Sequence, residues 1–282
     1  MVLPIVIVPA QSENGNEGTG GTGEMKPPTK RETRDQFAGV AKRYRTSIDH
    51  RDADDREILR SRLAMDPSHL LLDVATGGGH TAAEFSPDVR KVVASDLTPE
   101  MLCEARTLSA ERKCRNMSFV AADAESLPFA SEAFDRVTCR IAPHHFPDLP
   151  AAVRELLRVT RSGGLVGIID SVVPDDPVLD AFLNGVEKVR DPSHVRSYRI
   201  EEWNEVLASA GLFLLHVSRT WKEHPFAEWV ARTGKPQEVQ REIESLFLTA
   251  FLRARDYYRV RIENGKVVSY SDEKGIFVGR KT

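Results

Sequence analysis

This sequence predicts a doubly wound α/β fold, on three observations. Short apolar runs alternate with amphipathic stretches across roughly a hundred residues in its middle, which is the order of a parallel sheet covered by helices on both faces. A glycine cluster, Gly77 to Gly79, directly follows the first run. An acid stands at the end of each of the first three runs: Asp73, Asp96 and Asp123. With 282 residues, 41% of them apolar, the chain can bury the core of one such domain and still carry cap elements.

In chain order, residues 1–30 are expected to be disordered, because residues 11–30 are mostly Gly, Ser, Asn, Glu and Pro with almost nothing to bury. The domain is expected over 31–282, with a cofactor-binding core at 66–170 and cap elements over about 31–65 and 171–270. Phe37, Val40, Tyr44, Ile48 and then Ile58 to Leu63 predict one or two helices leading in. Leu70 to Ala75 reads as a strand buried on both faces, and Lys91 to Ser95 as a second strand. Thr98, Pro99 and Glu100 then supply an N-cap, an N1 proline and a first-turn acid for a helix whose buried face is Met101, Leu102, Ala105 and Leu108.

Met117 to Ala122 and Phe134 to Cys139 are the third and fourth strands. Ala152, Val153, Leu156 and Leu157 mark a helix ended by Gly163 and Gly164, and Leu165 to Ile169 is the fifth strand. Residues 175–198 are polar and interrupted by proline. Trp203, Val206, Leu207 and Ala210 form a helix closed by Gly211, and Leu212 to Val217 a strand. A helix follows from Pro236 to Phe251, and Asn264-Gly265 marks a hairpin turn.

Composition excludes several classes of function. Lys and Arg number 39 against 42 Asp and Glu, a net charge of -3 with no basic stripe, which argues against a nucleic-acid substrate. Three cysteines, Cys103, Cys114 and Cys139, have no Cys-x-x-Cys spacing, so neither a disulfide framework nor a metal site is expected, and a reducing cytoplasm fits best. The apolar opening, Met1 to Pro9, is too short for a membrane span and has no positive leader. The partners expected are a small-molecule acceptor, with no nucleic acid and no membrane span, and with a homodimer open.

The chemistry lies at the strand ends. Glycine lets backbone approach a ligand closely, and the carboxyl ends of strands are where α/β sheets bind ligands. Asp96 comes 23 positions after Asp73, where doubly wound folds place an acid on ribose hydroxyls. Asp123 can accept from an adenine amine, and Leu97 can pack on the ring face. One such acid is commonly an N-cap or turn residue, but three in register with a glycine loop point to a nucleoside cofactor.

These residues resemble the class I S-adenosylmethionine-dependent methyltransferases, in particular the ubiquinone and menaquinone biosynthesis group (methyltransferase type 11). The likeness rests on LLDVATGGGHTA at 71–82, VVASDLTPEML at 92–102, FVAADAESLPFASEAFDRVTCRIAPHHFPD at 119–148 and RELLRVTRSGGLVGIID at 154–170. It implies a Rossmann-like seven-stranded sheet, mostly parallel with an antiparallel last strand at Gly275 to Arg280, plus a small helical and hairpin cap. It also implies S-adenosylmethionine as cofactor, with Asp73, Gly77 and Gly79 around its methionine part, Asp96 on ribose and Asp123 near adenine. Tyr44, Ala75, Leu97, Met101, Ala124 and Arg140 complete the candidate contacts. Ala75 departs from the commoner glycine. A nicotinamide-binding oxidoreductase is the competing reading, yet no later glycine completes a Gly-x-Gly-x-x-Gly loop after Gly79.

Methyl transfer to a phenol, enol or adjacent carbon gains from a base, and histidine suits that near neutral pH. His144 and His145 follow the fourth strand and are the first candidates, although one of them can instead pack under the next helix, with Asp148 as its N-cap. A second candidate set is Arg190-Asp-Pro-Ser-His194-Val-Arg196-Ser-Tyr198, with His194 as the third candidate base, in a segment that in similar proteins helps cover the substrate; the alternative is a polar surface loop. Phe226, Trp229, Val230, Phe247 and Phe251 either line a pocket for a phenolic, quinol or isoprenoid acceptor or form the core of the cap. A non-catalytic protein that binds S-adenosylmethionine for regulation shares the same loop residues.

Overall fold

The computed structural model describes residues 5–7, 27–46 and 54–282. Most of the segment expected to be disordered, and Ile48, lie outside the described residues. The part that is described corrects the expectation at two places. Ile5–Ile7 form strand β1, and helix α1 begins at Lys30 behind a complete capping box. There the Glu32 N–H donates to Thr29 Oγ1 (3.2 Å), while the Thr29 N–H donates to Glu32 Oε2 (2.7 Å).

Helices α1 (Lys30–Ala38), α2 (Ala41–Thr46) and α3 (Asp54–Leu63) precede the first core strand, β2 (Leu70–Val74). The core continues as α4 (His80–Phe85), β3 (Lys91–Asp96), α5 (Pro99–Glu111), β4 (Met117–Ala121), β5 (Phe134–Arg140), α6 (Leu149–Val159) and β6 (Thr160–Val172). The remaining elements are α7 (Pro177–Arg190), α8 (Ile200–Ser209), β7 (Leu212–Pro225), α9 (Phe226–Arg232), α10 (Gln237–Thr249), α11 (Leu252–Tyr257), β8 (Arg261–Glu263) and β9 (Lys266–Lys281).

The sheet order is β1-β4-β3-β2-β5-β6-β9-β7, with β8 paired to β9. Every pairing from β1 to β6 is parallel, and β9 runs antiparallel to both β6 and β7. This is the expected mixed sheet with an antiparallel last strand, enlarged by β1 at one edge and by the short hairpin strand β8. Asn264 and Gly265 both have positive φ (50° and 73°), as the two-residue hairpin turn requires.

One face of the sheet buries Leu72, Val137, Val153, Leu156, Trp203 and Phe277. The other buries Leu59, Leu63, Leu71, Phe85, Leu102 and Ile276. A third cluster, Leu183, Phe226, Trp229, Phe247, Tyr258 and Tyr270, fills the cap. Helix α7 falls where the sequence reads as polar and broken. Its apolar residues Leu179, Leu183 and Val186 recur at helical spacing and point into the cap, while Asp176 accepts the Val178 N–H as N-cap (2.9 Å). Among the described residues no helix is long and apolar enough to cross a membrane.

Candidate functional site

The ends of the parallel strands fall level with one another: Val74 pairs with Ser95 and Cys139, Asp96 with Ala121, and Arg140 with Ile169. The loops leaving them therefore meet on one side of the sheet, where they and helices α1, α2 and α7 enclose a cavity of about 1170 Å³ including its open mouth. Of the sequence candidates, Tyr44, Ala75, Gly77, Asp96, Leu97, Met101, Asp123, Ala124, Arg140, His144 and His145 line it. Asp73, Gly79 and His194 do not.

Asp73 works beneath the loop. It is buried and accepts hydrogen bonds from the hydroxyls of Thr76 (2.6 Å) and Thr138 (2.7 Å), fixing the turn to β5, and burial pushes its pKa up. Gly79 serves packing: at φ 83°, a Cβ there would meet the Cβ of Ala105 at 2.8 Å, so the absence of a side chain lets α4 lie against α5. Gly77 differs, because at φ 54° it has open space where a Cβ would sit. Ala75 also has positive φ (51°), a conformation that costs a residue with a Cβ about 1–2 kcal/mol and that the commoner glycine takes freely.

Asp96 is the hinge of the arrangement. Its carboxylate accepts the Gly77 N–H (2.8 Å) and the Thr98 N–H (2.9 Å), tying the glycine loop to the start of α5. Thr98 is the N-cap of α5, as the sequence predicts, although its side chain makes no capping bond. Burial raises the Asp96 pKa to about 6, against the pull of those two N–H groups. Asp123 meets Lys30 from α1 (2.5 Å), which also reaches Glu125 (2.8 Å). Lys30 thus belongs to the cavity wall although the sequence places it in a disordered segment. Arg140 donates from Nε and Nη2 to the two carboxylate oxygens of Asp55 (3.0 Å each), an ion pair at the wall.

Three histidines gather beyond β5, with ring centroids 4.1 Å apart for His144 and His145 and 5.6 Å for His144 and His194. His144 Nδ1 lies 2.6 Å from Oδ1 of Asp170, a fully buried acid at the end of the fifth core strand. Burial alone would lower the His144 pKa, but the Asp170 charge and hydrogen bond outweigh it and the net shift is upward. His145 is pushed down to about 4 by burial and by His144, and its Nδ1 lies 3.1 Å from the Ser193 carbonyl oxygen. Phe37 packs edge-on against both Tyr44 (5.5 Å) and His145 (5.0 Å). His194 sits behind this pair, 2.9 Å from Asn184 Oδ1, with burial driving its pKa far down. The backbone N–H groups of Val195 and Arg196 both donate to the His144 carbonyl (2.8 and 3.2 Å), so the cap segment is stitched to the histidine turn. Ile141, which leads into that turn, has φ 51°, an outlier for a β-branched residue, and lines the cavity.

Sequence comparison then fixes the family. Residues 72–168 match the methyltransferase domain family model. The uncharacterized methyltransferase YcgJ of Bacillus subtilis is 34% identical over 235 residues, covering 83% of this chain and 93% of that protein. The chain belongs to the methyltransferase family. A crystal structure of a putative methyltransferase from Bacillus halodurans superposes on this methyltransferase with a TM-score of 0.77 at 35% identity, covering 81% of this chain and 99% of that one. The ubiquinone/menaquinone biosynthesis C-methyltransferase UbiE of Agrobacterium fabrum is 32% identical over 154 residues, 51% of this chain and 60% of that protein.

S-adenosylmethionine is accordingly the cofactor of this methyltransferase, and the nicotinamide reading falls. The cavity fits it on structural grounds: Gly77 leaves a bare backbone cradle, and Asp96 brings to the cavity lining a carboxylate fixed by the Gly77 and Thr98 N–H groups. Leu97 and Met101 supply apolar wall. Sequence reasoning missed Lys30, Asp170 and Arg232, whereas Arg190 opens its candidate stretch Arg190 to Tyr198. Asp170 alone carried a visible signal, as a further acid ending a strand; the others reach the site through tertiary packing.

Proposed function

We propose that this methyltransferase acts on a small phenolic or quinol-type acceptor, with His144 as general base and Asp170 as the group that orients it. The observation that carries the reading is the buried contact of 2.6 Å between His144 Nδ1 and Asp170 at the cavity wall. With Nδ1 engaged, Nε2 is the nitrogen left to take a proton from an acceptor hydroxyl or from the carbon beside it. Asp170 holds the ring and stabilises the imidazolium that results. When bound, S-adenosylmethionine supplies an electrophilic methyl group on a sulfonium. Asp96 would hold its ribose, Gly77 its methionine part, and Asp123 with Leu97 its adenine. Phe37, Tyr44 and His145 close the reacting end against water.

The name of the UbiE relative, a C-methyltransferase of ubiquinone and menaquinone biosynthesis, supports a quinol-like ring. An isoprenoid tail has less support, because Phe226, Trp229, Val230 and Phe247 are packed in the cap core and Phe251 lies partly exposed outside it. The test is methyl transfer to a panel of phenols and quinols by the wild type, His144→Gln and Asp170→Asn. Loss of about 10²–10⁴ in kcat in both variants, with S-adenosylhomocysteine binding intact, is the expected result. Full activity in both variants would remove His144 as base, and no transfer to any small acceptor would favour a binding-only role.

A further inference from the structure

The turn that follows α7 carries two buried side chains that the mechanism leaves unused, Asp191 and Ser193, each 1% exposed. The turn is bonded at many points. The Asp191 N–H donates to the Glu187 carbonyl oxygen (2.7 Å), the Asp191 carbonyl accepts the His194 N–H (2.9 Å), and Lys188 Nζ donates to the carbonyls of Pro192 and His194 (3.0 and 2.7 Å). Oδ1 of Asp191 accepts both the N–H (2.9 Å) and the hydroxyl (2.5 Å) of Ser193. An aspartate that bonds the chain two residues on holds a turn in one conformation, so Ser193 presents its carbonyl and hydroxyl oxygens in a fixed pose.

Both oxygens meet one atom of the cavity wall, His145 Nδ1, at 3.1 Å each. A carbonyl oxygen only accepts, and the single Ser193 hydroxyl proton goes to Asp191, so these bonds form only when Nδ1 carries the hydrogen. The same holds for His144, whose Nδ1 faces the Asp170 carboxylate at 2.6 Å. In a neutral ring so held, Nε2 is a bare acceptor. His145 is only partly buried and lines the cavity; among the described residues its Nε2 has no hydrogen-bond partner, and it is not sealed from solvent. The two rings, with centroids 4.1 Å apart, thus bring two acceptor nitrogens to neighbouring places in one wall. They differ in basicity. Burial opposes a charge on both, but at His144 the Asp170 contact outweighs it, whereas His145 is lowered to about 4 and stays neutral at pH 7.5. His144 can therefore take a proton where His145 only accepts a hydrogen bond.

We propose that His145 is a specificity-determining residue of the methyl-transfer site, with Asp191 and Ser193 as its positioning residues. Their turn holds the hydrogen on Nδ1, and Nε2 accepts a hydrogen bond from an O–H or N–H of the methyl acceptor next to the group that His144 deprotonates. The acceptor is then an aromatic with two donors on neighbouring ring positions, a catechol or an aminophenol, and not an isolated phenol or a para-quinol. The inference rests on the reading of His144 as base and narrows its substrate class.

Two measurements on the full chain test it. The first needs no acceptor: ring-nitrogen chemical shifts of the histidines at pH 7.5, with His145 assigned by the signals that vanish in His145→Asn. Neutral His145 with the hydrogen on Nδ1 is expected in wild type, and a mixture of tautomers in Asp191→Ala. A hydrogen on Nε2 in wild type, or signals unchanged in Asp191→Ala, overturns the positioning role. The second is calorimetric titration of catechol and of hydroquinone into protein loaded with S-adenosylhomocysteine; the two ligands have the same atoms and differ only in where the second hydroxyl stands. Wild type is expected to prefer catechol about tenfold, the effect of one hydrogen bond. His145→Asn keeps a side-chain N–H for Ser193 and has nothing in the place of Nε2, so the preference is expected to vanish. Should that variant not bind S-adenosylhomocysteine, His145→Phe, which keeps a ring, is read by the same ratio. A wild type that binds the two ligands equally or binds neither, or a preference that survives in these variants, overturns the proposal. His144 as base stands apart from that result, because it is judged by the kinetics of His144→Gln. A wild type that binds no S-adenosylhomocysteine overturns the cofactor reading and the proposal together.

Discussion

At the scale of single residues, the site trades stability for readiness to bind. Asp96 keeps a carboxylate in a place where burial lifts its pKa to about 6. A raised carboxyl pKa means the folded protein prefers the protonated form, so the stability this group contributes is present below about pH 4 and lost as pH rises through 6. Asp96→Asn removes that penalty and also tests the proposed contact of Asp96 with the cofactor ribose. The apo protein is expected to gain up to roughly 3 kcal/mol at pH 7.5 in thermal or urea unfolding, and its S-adenosylhomocysteine affinity to fall by at least about tenfold in calorimetry. A variant that binds normally would remove Asp96 from the cofactor site. Asp73 teaches the opposite lesson: its position in the motif is as conspicuous as that of Asp96, but it is spent on Thr76 and Thr138 and never reaches the cavity wall. Spacing along a chain locates an acid at a strand end without saying which way it turns.

At the scale of elements, helix α1 meets the cavity lining at Asp123 and Glu125, the end proposed to take adenine. Lys30 spans from that helix to Asp123 and Glu125, and its side chain is 33% exposed, so the ion pairs add little to stability, about 0.2–1 kcal/mol. Lys30→Ala is therefore expected to leave the melting temperature nearly unchanged while raising both association and dissociation rates of S-adenosylhomocysteine in stopped-flow measurements. Unchanged rates would show that α1 does not cover the entrance. The five parallel core strands, the helix behind Thr98 and the 264–265 hairpin were legible because each has its own periodicity or turn chemistry. Helix α7 was not, since its few apolar residues serve a cap whose partners come from far along the chain, and Lys30 was not, since composition averages over a single lysine.

At the scale of the whole molecule, buried histidines set the response to acid. His145 and His80 both have their pKa values lowered to about 4, first of all by burial, and His194 is lowered further. A lowered histidine pKa means that the unfolded chain takes up protons which the folded one refuses, so stability falls as pH drops from about 6.5 toward 4. His144 and Asp96 act in the other direction, but three refusing imidazoles outweigh them. Melting temperature is expected to be lower at pH 5 than at pH 7.5, with a shallower dependence in His145→Gln; equal slopes in that variant would place the acid sensitivity elsewhere.

The position of β9 bears on how the protein is made. It is later in the sequence than β7 yet lies between β6 and β7 in the sheet. On a ribosome, a growing chain that has already released β6 and β7 still lacks the strand that separates them. The Rossmann-like half carrying the cofactor loops can form early, but its β6 edge and the whole of β7 wait for residues 266–281 to emerge. Until then two long strands face solvent with unmet backbone groups, and they are the stretch of this protein a nascent-chain chaperone has most reason to shield.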